Sequence, residues 1–553
     1  MKPHPTVASV LANDLVAYGA RRCFGLLGTA NFKISHALAQ GGVELICARH
    51  EGNAASMGDA YAKATGELTV VSVHSGPGLT NALTGIGEAA KSRTPLLFLA
   101  GDVPTGAVKS NFYFEQAEMV RSVGAISERT HTVASAREDT LRAVTRAMRD
   151  RQTVVLSLPT DVQDALYSGP MPPLALPTAI GAMHPNPTNV RQLADVLESA
   201  HRPLILAGRG AVISGAEQAL ATLAERCGAL LATSVCGHGL FAGNPWSVGI
   251  SGGFASPGAD DLISESDLIM AFGASLTHWT TKRGKLIAPG AMVAQIDVDV
   301  SRLGYQMPVQ YVSNSDARVT AEALLAELGS RGGYPRRGWR DEETRRRIRD
   351  GDNHNAPYQD TSTRELIDPR TLSKAVDAIL PKERVVASDS GHFCGWVPRF
   401  LRVPNAKASC LSHSFQSVGL GLASAIGLAI ANPGALAVLG VGDGGFLMSI
   451  ADLETAVRMK LRMCILVYND SSYAAEVHLY RRRGYSIDIV QFPDTDFCAI
   501  ARGFGARSAT VRTVDDLRPV EAWVQEGAPG VFVIDAKINP DLEADWHAEH
   551  FPS

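Results

Sequence analysis

The stretch Val438-Leu-Gly-Val-Gly-Asp-Gly-Gly-Phe446, then helix-spaced Leu447–Lys460, then Cys464-Ile-Leu-Val-Tyr-Asn-Asp470, decides the fold. Each apolar run reads as a strand, and each ends in an acid: Asp443 after the first, Asp470 after the second. They lie 27 positions apart, the length of a strand–helix–strand crossover. Adjacent parallel strands would carry both acids to one sheet edge, where open α/β folds bind ligands. Gly-Asp-Gly alone is a common turn. Paired with a second strand-ending acid it describes a hard-cation and phosphate site. Gly442, Gly444 and Gly445 let backbone approach a ligand, and a helix opening near Gly445–Leu447 would offer N–H groups to a phosphate.

Outward from this stretch, short continuous apolar runs alternate with helical patterns. They include Leu68–Val73, Leu96–Ala100, Thr153–Leu158, Pro203–Ala207, Leu268–Phe272, Met292–Ile296 and Val385–Ala387. Continuous apolarity suits strands covered on both faces, so the fold class is α/β with parallel sheets. A Pro-rich stretch, Tyr167–Pro187, and a polar one, Gly329–Arg364, divide the chain into 1–170, 186–330 and 365–538, with a tail at 539–553. The arginine run Arg345–Arg349 reads as a solvated helix face rather than a ligand patch.

The 553 residues are too many for one core. A net charge of −4 gives no argument for nucleic acid or an anionic membrane. Eight scattered cysteines form no C-x-x-C pair, and no signal peptide or membrane-length apolar run is visible, so a cytoplasmic protein is expected.

The C-terminal motif resembles that of the thiamine diphosphate enzymes of the acetolactate synthase, pyruvate oxidase and benzoylformate decarboxylase superfamily. The resemblance extends to Arg49-His-Glu-Gly-Asn-Ala-Ala-Ser-Met-Gly-Asp-Ala-Tyr-Ala62 and His74-Ser-Gly-Pro-Gly-Leu-Thr-Asn-Ala82. It implies three doubly wound parallel-sheet domains: pyrimidine-binding, central Rossmann-like and diphosphate-binding. It also implies thiamine diphosphate held through Mg²⁺ by Asp443, Asp470 and the carbonyl of Ser472. The family ends this motif in Asn-Asn, so Asp470 is a departure that adds negative charge. Tyr473-Ala474 stands where relatives commonly read Tyr-Gly. By the same resemblance Glu51 activates the aminopyrimidine, Val418 props the cofactor, and the Gln416 carbonyl accepts from its 4′-amino group. Gly391 and His392 neighbour the phosphates. Because Glu51 and Asp443 grip opposite ends and come from different subunits in the family, a homodimer or homotetramer is implied.

The pocket residues implied are Thr29 and Asn31, His74, Glu115 or Gln116, Glu476, and His478. Phe114-Glu-Gln116 stands where relatives read Phe-Gln-Glu. Such a protic pocket points to a carboligase or lyase acting on 2-oxo acids or 2-hydroxy ketones through an enamine, acetolactate synthase-like. A simple 2-oxo acid decarboxylase, a 2-hydroxyacyl-CoA lyase with Arg209 and Arg283 at a nucleotide, and a non-catalytic cofactor-binding paralogue are the alternatives. In the central segment Ile296-Asp-Val-Asp299 could face a ribose; an empty nucleotide site is expected there, with FAD the lesser expectation. The tail, with Trp546, His547, His550 and Phe551, reads as a cover over the pocket or a frayed end.

Overall fold

The computed structural model describes residues 5–172, 181–332 and 338–551. Among them are three six-stranded sheets, parallel throughout. The first holds β1 (Arg22–Gly25), β2 (Glu44–Cys47), β3 (Thr69–Val73), β4 (Leu96–Asp102), β5 (Ile126–Arg129) and β6 (Thr153–Pro159), in the order β2-β1-β3-β4-β6-β5. The second holds β7 (Pro203–Ala207), β8 (Leu230–Thr233), β9 (Ser247–Ile250), β10 (Leu268–Phe272), β11 (Met292–Asp297) and β12 (Tyr311–Asn314), in the order β12-β11-β10-β7-β8-β9. The third holds β13 (Arg384–Ser388), β14 (Ser409–Leu411), β15 (Leu436–Gly442), β16 (Met463–Asn469), β17 (Arg507–Val511) and β18 (Val531–Lys537), in the order β14-β13-β15-β16-β18-β17.

The first and third sheets therefore repeat one topology, while the middle sheet has the order of a dinucleotide-binding fold. In the repeated topology strand order reverses between β1 and β3, and between β13 and β15. The loops leaving those strands carry Gly25–Asn31, His74, Asp389–His392 and Asp443, so part of the expected site sits at the two switch points.

The outer two sheets share one continuous core. It is joined where the helix Glu51–Thr65 packs on the helix Gly421–Ala431. The backbone at Met57 leaves no room for a side chain at 427, while Gly58 sits against Val71 of the first sheet and Ala55 against Gly85. Small residues let the two helices approach closely, and burial on all sides explains their unpatterned apolar sequences.

The proline-rich linker lies partly outside the described residues, including Pro173 and Pro177; its last proline, Pro187, opens the helix Pro187–Ser199. The arginine run lies on the helix Glu342–Asp350, where Arg347 pairs with Glu265 and Arg345 covers the Trp246 ring. All eight cysteines are free thiols. No helix among the described residues is long and apolar enough to cross a membrane.

Candidate active site

β15 and β16 are adjacent and parallel, with Gly442 opposite Tyr468. Asp443 therefore begins the helix Asp443–Ser449 beside the turn that starts at Asp470. Asp470 Oδ1 accepts from the Ser472 backbone N–H at 3.1 Å and its hydroxyl at 2.9 Å, an Asx turn that leaves Oδ2 uncommitted to it. Burial, then the neighbouring Asp470, pushes Asp443 up to about 7. Burial also raises Asp470 to about 6 against the Ser472 bonds. Lys537, the nearby cation, is bound to Asp535 at 3.0 Å and to Asp494. Two acids that repel one another, Asp443 buried and Asp470 half-buried, with the local lysine already paired, are the donor set a hard divalent ion fits.

The glycines beside this pair are crowded. A side chain at Gly444 would meet the Tyr473 ring at 2.8 Å, and one at Gly445 would strike Asp389 and reach Val418 at 3.1 Å. Asp389 was not singled out from the sequence. It is fully buried and accepts from Ser390 at 2.9 Å and from Gly419 through both oxygens at 3.1 and 2.9 Å. Burial lifts it to about 6, against the backbone N–H groups that bind it. Its sequence signals are an acid closing an apolar strand, as at Asp443, and its place at the head of the Asp389–Phe393 stretch that supplied Gly391 and His392. Gln416, in the same loop as Val418, adopts a left-handed φ of 59°. Gly391, with φ 137°, occupies backbone space that favours glycine.

The other switch point gathers Glu51, His74 and Asn81. Glu51 opens its helix, is 7% exposed, and accepts from Asn81 Nδ2 at 3.1 Å. Gly78 lies between Glu51 and His74: a Cβ there would be 3.5 Å from Glu51 Oε1 and 2.9 Å from His74 Cβ. His74 Nδ1 accepts from the Ala30 N–H at 3.3 Å, which assigns the ring proton to Nε2. Its ring meets Phe112 edge-on at 5.3 Å. Thr29, on the same loop, is exposed.

The other expected pocket residues differ in their surroundings. Asn31 is 1% exposed and holds its own loop, donating to Leu26 and Ser72 and accepting from Gly28. Its amide braces that loop. Gln116 is likewise buried, bonded to Gly101, Asp102 and Ser157 across β4 and β6, while Glu115 is exposed and bonded by Tyr113 at 2.5 Å. Glu476 is exposed on the helix Ala474–Arg482.

The His392 ring packs against the C-terminal tail. Its Nε2 accepts from the Ala544 N–H at 2.9 Å, and it stacks on His478 at 4.6 Å with His547 at 5.2 Å. Burial and the two neighbouring imidazoles hold it neutral. The tail is thus docked, not frayed: the helix Asp545–His550 buries Trp546 against Trp396 and Phe254, and Arg399 pairs with Asp545. In the middle sheet Asp299 is taken by Arg93 at 2.7 Å and by Ser301, and Arg209 by the Ser92 carbonyl. Arg283 donates to the His550 carbonyl at 2.7 Å. The expected nucleotide contacts are engaged by the chain itself.

Comparison with known proteins agrees with this arrangement sheet by sheet. The description "Thiamine pyrophosphate enzyme, N-terminal TPP binding domain" matches residues 5–123, the central domain of the same enzymes matches 190–324, and their C-terminal TPP binding domain matches 389–536. A probable acetolactate synthase large subunit of Methanocaldococcus jannaschii is 26% identical over 96% of this chain and 92% of its own length. A sulfoacetaldehyde acetyltransferase of Rhodobacter capsulatus is 26% identical over 97% and 95%. The acetolactate synthase isozyme 3 large subunit of Escherichia coli is 27% identical over 84% and 82%. With three matched domains in the order of three matching sheets, and a candidate site at each outer switch point, the chain belongs to the thiamine pyrophosphate enzymes that form or cleave carbon–carbon bonds.

Proposed function

We propose that this enzyme is a carboligase, transferring the two-carbon or larger acyl unit of a 2-oxo acid to an aldehyde or ketone acceptor. The names of its relatives, acetolactate synthase and sulfoacetaldehyde acetyltransferase, support a transferase of this kind. The observation that carries the reading is the buried Glu51 facing His74 across Gly78.

Thiamine diphosphate, when bound, supplies a carbanion centre that adds to the donor carbonyl and accepts the electrons left by decarboxylation. The chain's residues do the rest. Asp443, Asp470 and the Ser472 carbonyl would hold Mg²⁺, a hard ion that also takes phosphate oxygens. Gly444 and Gly445 admit the backbone to that end, against Tyr473. Glu51, oriented by Asn81, exchanges a proton with the aminopyrimidine. His74 presents Nε2–H to a substrate oxygen, the Ala30 N–H fixing its tautomer. Glu51 and Asp443 act on one cofactor from two subunits, so the working unit is a homodimer or a pair of them.

A second reading, non-oxidative decarboxylase, is favoured by His74, whose Nε2–H is suited to protonating a carbanion. The deciding experiment supplies pure enzyme, thiamine diphosphate and Mg²⁺ with small 2-oxo acids, with and without aldehyde or ketone acceptors. Carboligation requires CO₂ release together with a coupled product. Release of free aldehyde at the same rate whether or not an acceptor is present would replace it with the decarboxylase reading. Inactivity of wild type across the whole panel would remove both.

A further inference from the structure

The loop from Ser412 to Leu420, which carries Gln416 and Val418, is held at its ends by its own domain. Ser412 bonds Ser424 at 2.8 Å, Ser390 donates to the Ser412 carbonyl at 3.3 Å, and Gly419 is clasped by Asp389. Its apex leans on the N-terminal domain of the same chain. Glu88, on the helix Pro77–Lys91, accepts from the Ser414 N–H at 3.2 Å and the Phe415 N–H at 2.6 Å. One turn on, Ser92 bonds the Ser414 hydroxyl at 2.7 Å. Gly87 makes room for the Phe415 ring, which a Cβ would meet at 2.9 Å, and Lys91 lies 5.3 Å over that ring.

Glu88 is no ordinary surface acid. It is 1% exposed, and Lys63 lies 3.4 Å away, itself anchored to Asp59 at 2.5 Å. Burial pushes its pKa up, but Lys63 and the two loop N–H groups outweigh burial and hold it below the usual carboxylate value. A buried anion aimed at two backbone donors fixes direction better than a neutral acceptor would. The loop needs such fixing, because Gln416 sits at φ 59°, a conformation that persists in a residue other than glycine only where its surroundings over-determine it.

We propose that Glu88 is a positioning residue for the cofactor. Through Ser414 and Phe415 it sets the left-handed Gln416 and, two residues on, Val418, so a helix of the N-terminal domain seats thiamine on the C-terminal domain of its own chain. This rests on the placement of Gln416 and Val418 under the thiamine. The alternative is a plain tie between domains, and the two differ in what cofactor binding feels.

The test compares full-length wild type, Glu88→Gln, Glu88→Asp and Val418→Ala, each stripped of cofactor. Thiamine diphosphate affinity is titrated at fixed Mg²⁺ by intrinsic fluorescence, and thermal unfolding midpoints are measured with and without cofactor. Glu88→Gln sets an amide N–H₂ against a backbone N–H and removes one of the two carboxylates on Lys63. Positioning predicts a dissociation constant raised about tenfold or more, the range for charge-assisted hydrogen bonds. It also predicts a smaller cofactor-induced rise in midpoint, and a donor KM within about twofold of wild type at saturating cofactor. Glu88→Asp, which keeps the charge beside Lys63 but draws it back from the loop, gives an intermediate value, and decides the matter if the Gln variant does not fold. An equal drop in midpoint with and without cofactor, at unchanged affinity, overturns the proposal. Val418→Ala separates two ways of failing. If it weakens cofactor binding while the Glu88 variants do not, only the role of Glu88 falls; if it too leaves affinity unchanged, the placement of the loop falls with it.

Discussion

Asp470 and Asp443 press their charges on one another at the ends of neighbouring strands, and a divalent ion is the natural relief. Asp470→Asn should therefore retain Mg²⁺-dependent cofactor binding, because the amide oxygen still ligates and the Asx turn survives. Asp443→Asn should raise the Mg²⁺ concentration for half-saturation about tenfold or more. Titrating cofactor binding against Mg²⁺ for both variants checks this; equal loss in the two would mean that Asp470 also ligates through its charge. Glu51→Gln should lower turnover by at least about 100-fold while cofactor still binds, since only proton exchange is removed. Steady-state rates beside a fluorescence titration read the two separately. The placement of Glu51, His74, Asp443 and Asp470 just after their strands was legible because a strand and its following turn are local in sequence. Asn31 and Gln116 were not. Both are amides at helix starts beside the expected pocket, and only the fold shows that Ser72 in one case and Ser157 in the other are their partners. Glu88 gave no signal, since its partners Ser414 and Phe415 lie more than three hundred residues away in sequence.

At the scale of elements, the legible strands were the central ones. β7 and β10 coincide with their apolar runs, and β3, β4, β6, β11, β13, β15 and β16 differ by a residue or so at their ends, because strands buried on both faces are apolar throughout. Edge strands such as β5 (Ile-Ser-Glu-Arg) and β17 (Arg-Ser-Ala-Thr-Val) face solvent and read as loop. The tail helix was ambiguous because its binding surface is assembled from distant segments. That surface titrates. His478 is lowered to about 4, first by burial, then by His547, Arg481 and Arg482 against the opposing pull of Glu543. His392 is held neutral beside it, and His547 Nδ1 donates to Glu543 at 2.8 Å. A depressed histidine stays neutral in the folded protein while the unfolded chain binds protons below about 6.5, so its contribution is present above that pH and is lost as pH falls toward about 4. Unfolding midpoints should therefore drop over that window in wild type and drop less in His478→Asn. Parallel curves would show that the histidine layer under the tail does not carry the acid sensitivity.

For the whole molecule, two copies of one topology bracket a third sheet, and the outer two share a core through the Glu51 and Gly421 helices. Each outer sheet offers one end of a cofactor site. If Glu51 and Asp443 meet across a subunit interface, then Glu51→Gln and Asp443→Asn chains, each nearly inactive, should complement. A mixed dimer rebuilds one intact site of two, so random reassociation of equal amounts should restore up to about a quarter of wild-type activity. No recovery, with mixed dimers shown to form, would place both residues in the same subunit's site.

The helix Pro77–Lys91 has a hereditary consequence. Near its start Asn81 steadies Glu51, and seven residues on, about 10 Å along the axis, Glu88 steadies the Gln416 loop. In the proposed dimer the first duty serves the neighbour's cofactor and the second its own. A chain with this helix distorted would then spoil both sites of any dimer it joins. Expressed in equal amount beside the normal chain, it would leave only about a quarter of dimers sound, and such an allele would behave as dominant rather than recessive.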